Sequence, residues 1–365
     1  MKKEFSIVEL SCVVRELQSL VGGRIARVLQ HSDKVLSFEC FKTGVGKKFV
    51  HIFRPGLVWI GSSKFSSLES GFFRSISRLV DGGKIISISQ IGSERIIKVE
   101  VAVSGKKLFV YVELFNKGQV VACNDDGKIL ALWETQQWKE RVLKIGEQYV
   151  LPKKLFNIFV MAEEEFQQVL GVIGETVSKT IATELCVGGV YAQELCAISG
   201  IDKNKNKLSS EELRVLFANL QFLFQRKIDA RIVYENNLVK DIVPFPLKLY
   251  ELLKQTAHPA FSAAIDEVLS KQFFDEAAVS VLSDFEKKRK RLLNIVETQK
   301  VYRSVLEKQA VDEQKKGELV YENYQKLKEI LGAAQKIHLK DLKAKAKELN
   351  IKDVNESKGE IVVEV

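Results

Sequence analysis

The sequence predicts an α+β chain in three parts: a β-rich N-terminal domain (1–150), a helical domain with a helix-hairpin-helix (151–278), and a long coiled-coil arm with the start of its tip (279–365). Three observations carry this expectation. Up to about residue 150, short runs rich in Val, Ile and Phe recur at period two, with Gly, Asn or Asp at the bends. Beyond that point the apolar spacing becomes helical. From 279 to 331 the chain is dense in charge, Gly317 is its sole Gly or Pro, and apolar residues fall in heptad phase.

The elements follow in order. Residues 6–21 (SIVELSCVVRELQSLV) carry a helical apolar stripe that stops at Gly22-Gly23. Strands are expected at 24–30, 34–40, 47–53 and 57–60, then a helix at 68–79 that ends near Asp81-Gly82-Gly83. Strands at 84–90, 95–103, 107–114, 120–124 and 129–133 complete the first part. Regular short strands at hairpin spacing indicate an antiparallel sandwich or barrel, not a parallel nucleotide-binding sheet. Helices at 163–172 and 178–184 lead to a basic loop at 203–207, and Ser209 or Ser210 ahead of Glu211-Glu212 starts another helix. Residues 229–246 read as a hairpin, with Asn236-Asn237 at its turn and Pro244 and Pro246 closing it.

In the arm, Phe285, Leu292, Leu306, Val320, Leu327 and Ala334 share one heptad phase, and Val296, Ala310, Tyr324 and Leu331 share its partner. Gln299, Arg303 and Glu313 interrupt the middle, and Gly317 is expected to bend the helix. One helix cannot bury such a stripe alone, so it needs an antiparallel return helix or a partner, including a second copy of the chain. Residues 339–349 form a short amphipathic piece, and 359–365 (GEIVVEV) read as a bare strand. The chain is expected to stop inside a larger protein.

Composition narrows the function. Against 47 acidic residues stand 56 Lys and Arg, a net charge of +9. That favours an acidic partner, because basic side chains release counterions from phosphates. Cys12, Cys40, Cys123, Cys186 and Cys196 lack CxxC spacing and read as reduced, mostly core-filling thiols in a cytoplasmic protein. Glu9, Arg15 and Glu16 break any signal-peptide core, and no run is long and apolar enough to span a bilayer. His31, His51, His258 and His338 are scattered without ligand-pair spacing. No metal site, cofactor fingerprint or catalytic motif is legible, so the chain reads as a binding protein and not an enzyme.

Five stretches bear on contact with nucleic acid. Gly188-Gly189 sits between helical runs, where a tight turn lets backbone N–H groups approach a phosphate; the plainer reading is a helix–helix turn. Glu94-Arg95, entering a strand, could read a ribose hydroxyl and clamp a phosphate; the plainer reading is a surface ion pair. Residues 43–48 superficially match a phosphate loop but lack its final spacing and following helix, and read as a hairpin turn. Lys203, Lys205 and Lys207 form a basic loop, and Lys287-Lys288-Arg289-Lys290-Arg291 put charge all round the arm helix. The plainer reading of these last two is a solvated face.

Taken together, these pieces resemble the NFACT family, also known as fibronectin-binding-protein A-like proteins and as the tail-adding subunit of ribosome quality control. The stretches FSIVELSCVVRELQSLVGGRIARVLQ (5–30), FFRSISRLVDGGKIISISQIGSERIIKVEV (72–101), VELFNKGQVVACNDDGKIL (112–130), CVGGVYAQELCAISGID (186–202), AFSAAIDEVLSKQF (260–273) and GELVYENYQKLKEIL (317–331) keep the family's order. The resemblance implies an N-terminal domain similar to that of formamidopyrimidine-type DNA glycosylases. It also implies binding to large ribosomal subunits that carry a stalled peptidyl-tRNA, and recruitment of aminoacyl-tRNA for untemplated C-terminal tails. The family's tRNA-recruiting acid in the first helix falls on Glu9, and its Asp-Arg pair on Glu94-Arg95. Both acids are Glu here, and the extra methylene moves each carboxylate by ~1.5 Å. The family's C-terminal RNA-binding domain is not among these residues.

Three competing classes were weighed. A DNA glycosylase of similar fold would need an N-terminal proline amine and a four-cysteine zinc finger, where this chain has Lys2-Lys3 and scattered cysteines. A surface adhesin would need an export signal. A protein–protein scaffold would use the coiled coil alone.

Overall fold

The computed structural model describes residues 2–62, 71–138, 141–152, 157–355 and 359–364, without the side chains of 271–287, 290, 339 and 340. By its internal contacts the chain divides into two units, Met1–Glu276 and Ala277–Val365.

In the first unit, α1 (Ile7–Leu17) begins with a capping box. Ser6 Oγ accepts from the Glu9 N–H at 3.3 Å, and Glu9 Oε2 accepts from the Ser6 N–H at 2.8 Å. These bonds satisfy donors that a helix start leaves without partners. Ile7, Val8, Leu10, Val13 and Leu17 are buried at helical spacing. At the turn that follows, a Cβ on Gly23 would lie 2.8 Å from the Phe41 carbonyl oxygen, so only glycine fits.

The strands then run as a meander: β1 (Arg24–Gln30), β2 (Val35–Lys42), β3 (Gly46–Phe53) and β4 (Leu57–Gly61). After α2 (Gly71–Val80) come β5 (Lys84–Gln90), β6 (Ile96–Val103), β7 (Lys106–Glu113), β8 (Gln119–Asn124) and β9 (Ile129–Leu132). They make one nine-stranded antiparallel sheet, order β4-β3-β2-β1-β5-β6-β7-β8-β9. Its halves meet at a single rung, Arg24 opposite Lys84. Inward residues of both halves, among them Ile25, Phe38, Ile52, Ile85, Ile97 and Val110, join one core. Residues 43–45 are the β2–β3 hairpin turn, as their spacing predicts. The expected helix start at 68–70 lies outside the described residues.

A short hairpin, β10 (Gln136–Gln137) and β11 (Val142–Leu143), precedes four helices: α3 (Glu163–Leu170), α4 (Val177–Glu184), α5 (Gly189–Ile198) and α6 (Ser210–Gln225). Ser209 and Glu212 form the capping box of α6. β12 (Ala230–Glu235) and β13 (Leu238–Val243) turn through Asn236 and Asn237, both at positive φ, a conformation asparagine tolerates. β14 (Lys254–His258) adds to the far side of β12. That strand escapes sequence reading because KQTAH offers no apolar alternation; pairing with β12 sets it.

α7 (Phe261–Glu322) starts in the first unit. Glu16 of α1 caps it, accepting from the backbone N–H of Phe261 at 2.6 Å and of Ser262 at 2.9 Å. One turn on, Asp266 accepts from Trp59 Nε1 at 2.9 Å and from the Ser62 N–H at 3.3 Å. The root of the arm helix is therefore tied to both α1 and β4. Among the described residues, no helix is long and apolar enough to cross a membrane.

In the second unit α7 runs unbroken through Gly317, correcting the expected bend; one glycine costs a helix only about 1 kcal/mol. Leu292, Leu306 and Val320 stay roughly half exposed along it. α8 (Tyr324–Ala334) and α9 (Leu339–Leu342) follow, then β15 (Ile351–Asn355) and β16 (Glu360–Val363). β16 pairs antiparallel with β15, so the bare strand expected at the end is corrected. Ile351 and Val354 turn inward with Ile330 and Leu342 to form a small separate core.

Replacing Glu16 with Gln keeps the size but removes the charge facing the α7 N-terminus. The expected loss is about 1 kcal/mol, seen as a fall in Tm of about 2–4 °C; an unchanged melting curve contradicts the capping role.

Candidate nucleic-acid interface

A cleft of about 780 Å³ opens in the first unit between the β-rich part and the helical part. Its walls come from the N-terminal strap (residues 2–6), the first turn of α1, the turn at Ser93–Arg95, Phe115, the Cys186–Tyr191 turn, Lys240-Asp241 and Tyr250. Glu9, Glu94, Arg95, Gly188 and Gly189, far apart in sequence, all line it.

The turn before α5 depends on Gly188, whose φ is +80°. No side chain caps the N-terminus of α5, so its first-turn N–H groups and the positive end of its dipole are left to the cleft. On the facing wall Ser93 Oγ accepts from the Ile158 N–H at 2.6 Å, which fixes the turn that presents Glu94 and Arg95. Arg95 does not pair with its neighbour. Its Nη1 donates to Glu4 Oε2 at 2.6 Å and reaches the Phe5 carbonyl at 3.4 Å, so it ties the strap to the turn. Burial pushes the Glu94 carboxyl above its ordinary range, and the adjacent Arg95 partly offsets this.

Glu9 is enclosed, with 3% exposure. Oε1 accepts from Lys2 Nζ at 2.6 Å and from the Tyr191 hydroxyl at 3.0 Å, while Oε2 serves the capping box. Lys2 Nζ also reaches Asp241 Oδ1 at 2.5 Å and the Ile242 carbonyl at 2.8 Å. Tyr250 donates to Asp241 Oδ2 at 3.0 Å. Burial raises the Glu9 carboxyl above its ordinary value, with Lys2 pulling it back and Asp241 adding to the rise. Burial opposes the charge on Lys2, but Glu9 and Asp241 outweigh it, so the amine is held as ammonium.

The basic stretches stand elsewhere. Lys203, Lys205 and Lys207 are exposed, outside the lining of the cleft, and Lys205 pairs with Glu212 at 2.6 Å. Lys288, Arg289 and Arg291 are exposed on α7, and the side chains of Lys287 and Lys290 lie outside the described residues. Sequence reading missed Lys2, Asp241, Tyr191 and Tyr250. The Ser6-Ile7-Val8-Glu9 spacing is a capping-box signature and could have shown that Glu9 serves its own helix. Nothing local announces the others.

The family described as NFACT N-terminal and middle domains matches residues 6–365. The archaeal Rqc2 homolog aRqcH of Methanocaldococcus jannaschii is 27% identical over 394 residues, which cover 100% of this chain and 58% of that protein. The human ribosome quality control complex subunit NEMF is 21% identical over 359 residues, 89% of this chain and 33% of that one. The chain thus spans little more than half of the first relative and a third of the second. Among solved structures, the N-terminal part of the fibronectin/fibrinogen-binding protein from Streptococcus suis aligns with a TM-score of 0.61 at 17% identity, covering 73% of this chain and 100% of that one. At that identity the likeness is one of fold.

The raised carboxyl of Glu9 has a consequence in acid. Just above its ordinary value of 4.5, the folded chain holds a proton that the unfolded chain has released, so stability from this group grows as pH falls through that window. Chemical denaturation between about pH 4.5 and 6 is expected to show a more positive slope of stability against pH in Glu9→Gln than in the parent; identical slopes contradict the shift.

Proposed function

The chain belongs to the NFACT family, and from that premise we propose that it is an RNA-binding factor of ribosome quality control. It engages large ribosomal subunits that carry a stalled peptidyl-tRNA in the cytoplasm and recruits aminoacyl-tRNA for C-terminal tail addition. The observation that carries the reading is the convergence of Glu9, Glu94-Arg95 and Gly188-Gly189, from three separate stretches, on one cleft. The family resemblance puts tRNA recruitment at Glu9 and Glu94-Arg95, and the glycine turn is the phosphate-approach candidate. Both relatives compared are named for ribosome quality control.

The chemistry is recognition. The uncapped α5 N-terminus offers N–H donors to a phosphate. Glu94, on the opposite wall, suits a ribose hydroxyl. Exposed Lys203, Lys207, Lys288, Arg289 and Arg291 add sequence-independent attraction for rRNA or tRNA phosphates. Peptide-bond formation stays with the ribosome. A glycosylase reading meets a chemical obstacle at Lys2, whose amine in the cleft is an ammonium with its donors already engaged.

Sedimentation with large subunits tests this. The parent chain is expected to co-sediment preferentially with subunits bearing peptidyl-tRNA, and Glu94→Ala/Arg95→Ala to weaken that preference about tenfold, ~1.4 kcal/mol. The logarithm of the binding constant should fall by ~0.7 to 0.9 per phosphate contact for each tenfold rise in salt. Binding that ignores both salt and peptidyl-tRNA contradicts the reading.

A further inference from the structure

We propose that Lys2 is a positioning residue of the cleft: its ammonium offsets one of the two carboxylate charges of Glu9 and Asp241, so that a phosphate of bound RNA can approach the Gly188-Gly189 turn. The inference rests on the reading of the cleft as an RNA site, and adds a residue that neither the family resemblance nor the basic stretches single out.

Three observations carry it. An ammonium has three donors, and Lys2 spends them on Glu9 Oε1 at 2.6 Å, Asp241 Oδ1 at 2.5 Å and the Ile242 carbonyl at 2.8 Å. Its side chain is only 9% exposed, so the ion is fixed in place rather than waving in solvent. Second, the two carboxylates have no other cation among the contacts described. Tyr191 and Tyr250 each give one a hydroxyl hydrogen bond, which orients it without neutralising it. Third, the cleft is not basic. Its lining holds Lys2, Lys3, Arg95 and Lys240 against Glu4, Glu9, Glu94 and Asp241, four charges of each sign. An anion is accepted there the more readily the more the acids are offset by internal pairs, and Lys2 is the cation that contacts both Glu9 and Asp241.

The strap is built to deliver that charge. The Phe5 N–H donates to the Gly56 carbonyl at 3.0 Å, and Arg95 holds Glu4, so residues 4 and 5 are anchored to the β-rich part. Lys2 then reaches across to β13 in the helical part. Without its ammonium, two carboxylates would line the same cleft as the α5 N-terminus, and one uncompensated charge within about 10 Å of a phosphate weakens its binding by about tenfold at a surface-like dielectric.

The test is fluorescence anisotropy of a labelled deacylated tRNA with the whole chain, its Lys2→Met variant and the Lys2→Met/Asp241→Asn pair, with thermal melting of each. Lys2→Met is expected to bind about tenfold more weakly, and the pair to return to within about threefold of the parent, because removing one carboxylate restores the charge of the cleft. Parental affinity in Lys2→Met overturns the proposal. So does a pair as weak as the single variant, since displacement of the strap, not charge, would then be the cause. Should Lys2→Met fail to fold, the pair alone decides on the same threshold. A parent chain that binds no tRNA overturns the RNA reading itself, a different result from binding that ignores Lys2.

Discussion

One buried ion sets the charge balance at the cleft. Lys2 of the N-terminal strap, Glu9 of α1 and Asp241 of β13 meet in a cluster closed by Tyr191 and Tyr250. Buried ion pairs are weak sources of net stability, because desolvation offsets most of the Coulomb gain. Breaking one is another matter, since it leaves an unpaired charge at a cost of about 3–5 kcal/mol. The cluster is therefore better understood as a register pin than as an adhesive. The apolar core, continuous from Phe5 and Ile7 through Trp59 to Tyr191, Phe245 and Phe261, supplies the adhesion. The polar cluster decides which charge the walls present to the cleft.

The same economy appears at the root of the arm helix. Glu16 and Asp266 place two carboxylates where they accept bonds from Phe261, Ser262, Trp59, Ser62 and Ser270. α1 thus serves two ends of the first unit. Its first turn carries Glu9 into the cleft, and its last full turn carries Glu16 to α7. A disturbance of α1 reaches both the cleft and the first turn of the arm helix.

Sequence and structure agree where local physics decides. Period-two runs marked the strands, the Asn236-Asn237 pair marked its hairpin, and Gly188 marked a positive-φ position before α5, in a turn where Cys186 also takes one. Agreement ends where a partner lies far along the chain. Lys2 and Asp241 are 239 residues apart, and Arg95 finds Glu4 across 91. No spacing rule reaches that far. β14 was hidden because its own composition is unremarkable for a strand, and the end of the chain was misjudged because β15 supplies a neighbour that 359–365 do not reveal. The candidate residues were legible as types, but their convergence was not.

What the account claims above all is that this cleft faces tRNA. The most direct measurement is photocrosslinking from a benzoylphenylalanine placed at Phe115, which lines the cleft without belonging to its ion network. On large subunits that carry peptidyl-tRNA, with aminoacyl-tRNA supplied, irradiation is expected to join the chain to tRNA. A chain that binds these subunits yet crosslinks from this position only to rRNA or ribosomal protein contradicts the account.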